Sequence, residues 1–251
     1  MLRNQYFPNH IDMNTLSDQQ KDAIAIDAKE FIKKNEKLLI ETFADPKLYP
    51  PRKNPFSIFM AGSPGAGKTE FSRGLIDSVE NPLYAVRIDA DEIKGLIPQY
   101  TGKNSDIIQG AASLGVEKLY DNALHNNQNV IVDGTLQNYD KAFSNIKRSI
   151  DKKRFVVIFY LYQDPLIAWG FTKKREKLEG RHIPKEAFIN AFFAAKENVN
   201  KLKSEFKEKV VVFLIKKTDI NNNKESVRIN IDNIDNYIKE KYTKNSLNSK
   251  L

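Results

Sequence analysis

Residues 62–69 read Gly-Ser-Pro-Gly-Ala-Gly-Lys-Thr, a complete match to the P-loop pattern of glycine, any four residues, then Gly-Lys-Thr. Glycines at these places let the backbone curl so that consecutive N–H groups face an anion, and the following helix adds its positive end. Lys68 can then reach the β- and γ-phosphates of a nucleotide, and the Thr69 hydroxyl can ligate Mg²⁺. The stretch therefore predicts a site for ATP or GTP with Mg²⁺, formed by Gly62, Ser63, Pro64, Gly65, Ala66, Gly67, Lys68 and Thr69.

The segments on both sides of this loop have the character that a P-loop requires. Residues 56–61 form a short apolar run typical of a strand, and residues 69–78 continue with a helical period. Further apolar runs at 84–88, 130–132, 155–161 and 210–215 alternate with helical patterns at 107–125, 166–178 and 184–206. Alternation of this kind predicts an α/β P-loop fold of the small-kinase type, with three layers and a five-stranded, mainly parallel sheet.

Two further parts flank this core. Ser17 and Gln20 have capping-box spacing, and the pattern that they begin predicts one long helix over residues 17–43. Asn35 is the exception to its apolar period. Prolines at 46, 50 and 51 end it. We therefore expect an N-terminal helical extension and connector (1–50), a P-loop kinase core (51–220), and a C-terminal helix with a polar tail (221–251) that is frayed after Tyr242.

Composition narrows the classes of protein. The 251 residues contain no cysteine, which excludes disulfides, thiolate metal sites and cysteine nucleophiles. No apolar run approaches the length of a membrane span, and the polar first 14 residues lack the apolar core of a secretion signal, so a cytoplasmic protein is expected. The net charge of +8 favours anionic partners, which include nucleotides, phosphosugars, nucleic acid and acidic proteins.

The reaction has to be read from residues outside the loop. A GTPase needs an Asn/Thr-Lys-x-Asp element, which does not follow the fourth predicted strand, and a motor ATPase normally needs a longer chain, so a small kinase fits best. Asp89 and Asp91 follow the second strand, where catalysis is favoured for Asp91 and helix capping for Asp89. Asp133 ends the third strand and can hold the Mg²⁺ shell through water, while Arg175 and Arg181 lie where small kinases carry a lid.

These motifs together resemble the zeta-toxin family of bacterial toxin–antitoxin systems, over about residues 56–199. Residues 88–91 (I-D-A-D) resemble the family's I-D-x-D element, 132–135 (V-D-G-T) its E-G-T element, and 181–184 (R-H-I-P) its R-x-x-P element. The resemblance implies a kinase that transfers the γ-phosphate of ATP or GTP to a hydroxyl of a nucleotide sugar such as UDP-N-acetylglucosamine. It also implies a helical antitoxin partner that can block the nucleotide pocket. The implied catalytic residues are Lys68, Asp91, Arg175 and Arg181, and the implied substrate contacts are Asp89, Glu117 (sixteen residues before Asp133), Asp133 and Thr135.

Two departures from the family pattern leave the acceptor open. Asp133 stands where the family has glutamate, and Gln137 stands where better-known members carry an arginine near the sugar. Because a shift of about 1 Å can change a rate a hundredfold, the shorter carboxylate indicates a displaced substrate. Two alternatives remain. A kinase acting on a nucleic acid end is disfavoured because no aromatic series accompanies the basic residues, and in a nucleotide-dependent interaction module the N-terminal helix would cover the site or bind a partner.

Overall fold

The computed structural model describes residues 16–77, 84–217 and 225–251, so the polar first 14 residues lie outside the described part. Six strands are present there: β1 (Phe56–Ala61), β2 (Ala85–Asp89), β3 (Asn129–Asp133), β4 (Phe155–Tyr162), β5 (Val210–Lys217) and β6 (Glu225–Arg228). The α-helices in the same ranges are α1 (Asp18–Lys34), α2 (Glu36–Phe43), α3 (Lys68–Asp77), α4 (Ala90–Lys94), α5 (Ser105–His125), α6 (Tyr139–Asp151), α7 (Pro165–Glu179), α8 (Lys185–Phe206) and α9 (Lys244–Lys250).

The strands form one sheet in the order β2-β3-β1-β4-β5-β6. The first five are parallel, and β6 pairs antiparallel with β5. The predicted α/β class is thereby confirmed, but the predicted strand number is wrong, because the sheet has six strands and not five. Strand β6 escapes sequence reading because it is short and residues 226–228 are exposed, so it has no alternating apolar pattern.

Apolar side chains leave both faces of the sheet and make two cores. Phe59 and Ile158 point into the larger core, which also contains buried residues of α1, α5 and α8. Met60 and Ile131 point the other way, into a smaller core against which Phe71 of α3 packs. The sheet is thus covered by helices on both faces, in the three layers that the sequence predicts.

The N-terminal part contains two helices rather than the single predicted helix. The predicted capping box is confirmed, since Ser17 Oγ accepts from the Gln20 N–H at 3.3 Å and Gln20 Oε1 accepts from the Ser17 N–H at 2.9 Å. The break falls at Asn35, whose side-chain Nδ2 donates to the Phe31 carbonyl at 2.8 Å. An asparagine side chain that competes for a helix carbonyl is a recognised cause of such interruptions.

The helix α1 packs on the part of the chain that carries the candidate site. A Cβ at Gly115 of α5 would lie 2.8 Å from Ile93 Cγ2 of α4 and 3.6 Å from Ile32 Cδ1 of α1. Only glycine at this position therefore lets the three helices meet so closely. Among residues 16–77, 84–217 and 225–251, no helix combines the length and hydropathy that crossing a bilayer would require.

The C-terminal residues are folded, which corrects the expectation of a frayed tail. Thr243 and Ser246 form a capping box at the start of α9, and Leu247 is fully buried. The Lys185 ammonium of α8 also donates to the Asn248 carbonyl at 3.1 Å. A short polar stretch can be ordered in this way when a single apolar residue reaches the core. The division at residues 50 and 220 stays a prediction.

Candidate nucleotide and phosphotransfer site

The P-loop joins β1 to α3 at the carboxyl edge of the sheet. Gly62, Gly65 and Gly67 have φ values of +133°, +74° and +83°, which side chains of L-residues rarely allow. A Cβ on Gly62 would lie 2.3 Å from the Leu161 carbonyl oxygen, and one on Gly65 would lie 2.2 Å from that of Ala168. The loop glycines are therefore required by their torsion angles and, at these two positions, by the close approach of β4 and α7.

The side chain of Lys68 lies within the loop. Its ammonium donates to the carbonyl oxygens of Gly62 at 3.0 Å and Ser63 at 2.7 Å. Burial lowers the pKa of Lys68 to about 8, with Arg175 acting in the same direction and Asp133 opposing it. A buried ammonium held only by neutral carbonyls gains a much stronger partner when a polyphosphate enters the loop.

The two aspartates after β2 have different positions. Asp89 is the N-cap of α4, and its Oδ1 accepts from the Asp91 N–H at 2.9 Å, which confirms the capping role favoured for Asp89. Asp91 lies within α4, and its carboxylate is about one-third exposed. One carboxylate oxygen of Asp91 accepts from the buried Lys94 ammonium at 3.3 Å, and the other forms an ion pair with the Arg181 guanidinium.

The two predicted arginines lie on and just after α7: Arg175 is on the helix, and Arg181 follows its end. Arg181 follows the left-handed Gly180 that ends α7, and it bonds to Glu179 at 3.2 Å as well as to Asp91. Burial lowers the pKa of Arg181, while Asp89 opposes the shift. Asp89 also counteracts the lowered pKa of Lys68. Asp89 therefore acts on the pKa of both cations, and Arg175 acts on that of Lys68, while Arg175 itself forms an ion pair with Glu179 at 3.5 Å.

The Asp133-Gly134-Thr135 element is fixed from two sides. Asp133 Oδ2 accepts from the Ser72 hydroxyl at 2.8 Å, and the Thr135 carbonyl accepts from the Gly62 N–H at 3.2 Å. Beyond it, Leu136 has a φ of +59°, and Asn198 Nδ2 of α8 donates to the carbonyls of residues 136 and 137 at 2.9 and 2.8 Å. The side chain of residue 137 is exposed.

Glu117 is not brought to the other predicted site residues by any described contact. Its carboxylate pairs with Lys141 at 3.9 Å and Arg148 at 3.8 Å, both on α6. It lies twelve residues after Ser105, which begins α5, and at 1.5 Å per residue this places it about 18 Å along the helix from that end. Its predicted contact with a substrate stays a prediction without a structural partner.

Sequence reading misses three buried polar residues that organise the site: Arg87, Lys94 and Asn198. Arg87 had a usable signal, because a charged residue inside a strand that is buried throughout requires counter-charges nearby. Lys94 and Asn198 lie on helices where a single polar residue is ordinary, so their burial has no signature in one sequence.

The residues present fit a Mg²⁺ ion that arrives with the nucleotide. Thr69 lies in the first turn of α3 beside the loop and supplies one hydroxyl, and Mg²⁺ in such sites takes most of its ligands from phosphate oxygens and water. No group of three His, Cys, Asp or Glu side chains in the described ranges is arranged to hold a metal by itself. The donor set therefore suits Mg²⁺ bound together with nucleotide, not a resident ion.

A P-loop between β1 and α3, on a mainly parallel sheet covered by helices on both faces, defines a P-loop NTPase of the small-kinase type. The model of the zeta toxin family matches residues 40–236, and the chain therefore belongs to the zeta toxin family. Family and fold together indicate a nucleotide-binding phosphotransferase. A search of curated proteins finds no match.

Solved structures of similar fold come from toxin–antitoxin and related complexes. A chain of the PezAT chromosomal toxin–antitoxin system of Streptococcus pneumoniae superposes with a TM-score of 0.57 at 18% identity, covering 86% of this chain and 82% of that one. AvrRxo1-ORF1:-ORF2 with ATP gives 0.56 at 13% identity, covering 83% and 64%. The same complex with sulphate ions gives 0.58 at 13% identity, covering 86% and 70%. At identities this low, the structural likeness shows a shared fold alone.

Proposed function

We propose that this protein is a zeta-toxin-like kinase that transfers the γ-phosphate of ATP or GTP to a hydroxyl of a nucleotide sugar such as UDP-N-acetylglucosamine. The observation that carries the proposal is the ion pair between Asp91 and Arg181 at the edge of the sheet that also holds Lys68. This pair supports the proposal because it sets a carboxylate that can accept a proton against a cation that can bind phosphate, and phosphoryl transfer needs both.

In the reaction, the acceptor oxygen bonds to the γ-phosphorus while the bond from that phosphorus to the β,γ-bridging oxygen breaks. Asp91 takes the proton of the acceptor hydroxyl, and the nucleoside diphosphate leaves. Lys68, Arg175 and Arg181 stabilise the charge on the transferring group, because preorganised cations act strongly in a site from which water is excluded. Thr69 would hold Mg²⁺, which when bound would supply further neutralisation of the phosphate charge.

The contact between Asp91 and Arg181 has to open before Asp91 can act as a base. A carboxylate that is paired with a guanidinium is a poor base, since the pair favours its ionised form and blocks one oxygen. A γ-phosphate offers Arg181 a bidentate partner of higher charge. In the proposed reaction, entry of the nucleotide draws Arg181 away from one oxygen of Asp91, which then meets the acceptor while the Lys94 ammonium holds the other oxygen.

The family resemblance assigns four residues to the acceptor, Asp89, Glu117, Asp133 and Thr135, and they are not equally well placed. Thr135 is the best placed, because its side chain is only partly buried and its backbone is tied to the first glycine of the loop. The carboxylates of Asp89, Glu117 and Asp133 already have protein partners. Each would have to release its partner to contact a substrate.

We also propose a helical antitoxin as a protein partner and the cytoplasm as the compartment. The similar PezAT and AvrRxo1-ORF1:-ORF2 structures are named as a toxin–antitoxin system and a two-protein complex. Basic residues on and after the lid helix, including the half-exposed Lys173 and Arg175, suit an acidic partner as well as a nucleotide.

Phosphorus NMR of the purified protein with ATP, Mg²⁺ and UDP-N-acetylglucosamine tests the proposal. A new sugar-phosphate resonance is expected, and Asp91→Asn should abolish it while ATP still binds. Asp27→Asn, an exposed position on α1, is the matched control and should react normally. Labelling of other acceptors but not the nucleotide sugar would refute the substrate class, and transfer by Asp91→Asn at the normal rate would refute the assigned base.

A further inference from the structure

Arg87 of β2 stands at the centre of a buried ionic network. Its Nε donates to Ser72 Oγ at 3.0 Å, its Nη1 donates to Glu92 Oε1 at 2.7 Å, and its Nη2 donates to Asp89 Oδ2 at 2.7 Å and to Asp133 Oδ2. Only 8% of its side chain is exposed. A single guanidinium therefore joins the P-loop helix α3, the helix α4 and the carboxyl ends of β2 and β3.

The Arg87 guanidinium partly neutralises the negative charge at this edge of the sheet. Three carboxylates lie within bonding distance of one point, next to the loop where a polyphosphate binds. Without a cation among them they would repel each other and the nucleotide. Burial by itself would lower the pKa of Arg87, but Asp133, Asp89 and Glu92 outweigh it and raise the pKa, so the guanidinium stays charged.

The same contacts occupy Asp133. Its Oδ2 receives both the Ser72 hydroxyl and Arg87 Nη2, and only 4% of its side chain is exposed. With Oδ2 engaged and the side chain buried, an acceptor sugar or a water of the Mg²⁺ shell could reach Asp133 only at Oδ1 and only by opening this network. The position that the family resemblance assigns to the substrate thus has an internal partner in this chain.

We propose that Arg87 is a positioning residue of the phosphotransfer site and that Asp133 is its counter-charge, not a ligand of the acceptor. Arg87 holds the β2–α4 corner, and with it Asp91, in register with the P-loop helix. The acceptor is then held by Thr135 and its neighbours on the loop after β3. This inference rests on the proposed function for its kinetic consequences, but not for its structural ones.

A double-mutant cycle between Arg87→Met and Asp133→Asn tests the pair. Each single variant should lower the free energy of unfolding in urea, and the double variant should be less destabilised than the two effects added, by a factor of about ten or more in the unfolding constant. Arg73→Met is the matched control, because Arg73 also bonds Glu92 but is exposed and touches neither Asp89 nor Asp133. Additive effects in the cycle would overturn the pairing whether or not any acceptor is phosphorylated.

Kinetics separate positioning from ligand binding. At a temperature where every variant is folded, Arg87→Met and Asp133→Asn should each lower kcat about tenfold or more, non-additively, with the acceptor KM and the Kd of MgATP within about threefold of normal. Arg87→Lys, which keeps the charge but not the fork, should recover part of kcat. A rise of about tenfold in acceptor KM or MgATP Kd for a normally stable Asp133→Asn would show that Asp133 is a ligand and overturn the proposal.

Discussion

Replacing Gly65 with alanine should damage the P-loop through sterics alone. The added Cβ would lie 2.2 Å from the Ala168 carbonyl oxygen and 3.2 Å from Thr172 Cγ2, at a φ of +74°. A left-handed L-residue costs about 1–2 kcal/mol, and overpacking adds about 1–3 kcal/mol, so the free energy of unfolding should fall by about 2–5 kcal/mol. Since either the loop or α7 must move by about 1 Å, MgATP binding should weaken on the order of a hundredfold.

Gly74→Ala is the matched control. Gly74 lies on the helix that follows the loop, is exposed, and has no atom within 4 Å of its added Cβ. Alanine there should raise the free energy of unfolding by about 0.5–1 kcal/mol through helix propensity, with normal nucleotide affinity. Urea unfolding and titration calorimetry measure both quantities. Equal stability and equal affinity in the two variants would refute the packing of α7 on Gly65.

Three further outcomes follow from other contacts. The Kd of MgATP should rise about tenfold per pH unit above pH 8, because Lys68 has a pKa of about 8 and must be protonated to hold phosphate. Calorimetry from pH 7 to about 9.5 measures this rise, which should be much flatter in the Lys68→Arg variant. Ile32 is buried and Ile26 lies on the exposed face of α1, so Ile32→Ala should lower the free energy of unfolding by about 2–4 kcal/mol and Ile26→Ala by less than about 0.5 kcal/mol. A gain in kinase activity in Ile32→Ala would instead indicate that α1 inhibits the site. Asn198→Asp should raise the acceptor KM in steady-state assays more than it changes the Kd of MgATP, because a carboxylate cannot donate to the two loop carbonyls after Thr135. An unchanged KM would show that this loop does not contact the acceptor.

The features that a single sequence reveals here are those encoded by local pattern. The bounds of β1 are predicted to the residue, because an apolar run stands between a connector with prolines and the glycine loop. The pairing of Asp91 with Arg181 agrees with the motif positions, although the contact spans ninety residues of sequence. The need of Arg87 for counter-charges could be inferred from its strand, but its partners could not, since they lie on three elements whose convergence depends on the sheet order.

The proposal of Asp91 as the base is also supported by the cation with which each carboxylate at this edge is paired. Asp89, Glu92 and Asp133 are all bonded to Arg87, which is buried within the sheet and cannot leave without disrupting four elements. Asp91 is the exception among these carboxylates, because its guanidinium partner follows the lid helix α7 and is itself a phosphate ligand by chemistry. Under the proposed function, nucleotide that draws Arg181 away would leave Asp91 with the Lys94 ammonium, while the other three carboxylates stay paired with Arg87. On this proposal, a base whose arginine leaves only when the donor phosphate is in place would limit wasteful transfer to water before the site is loaded.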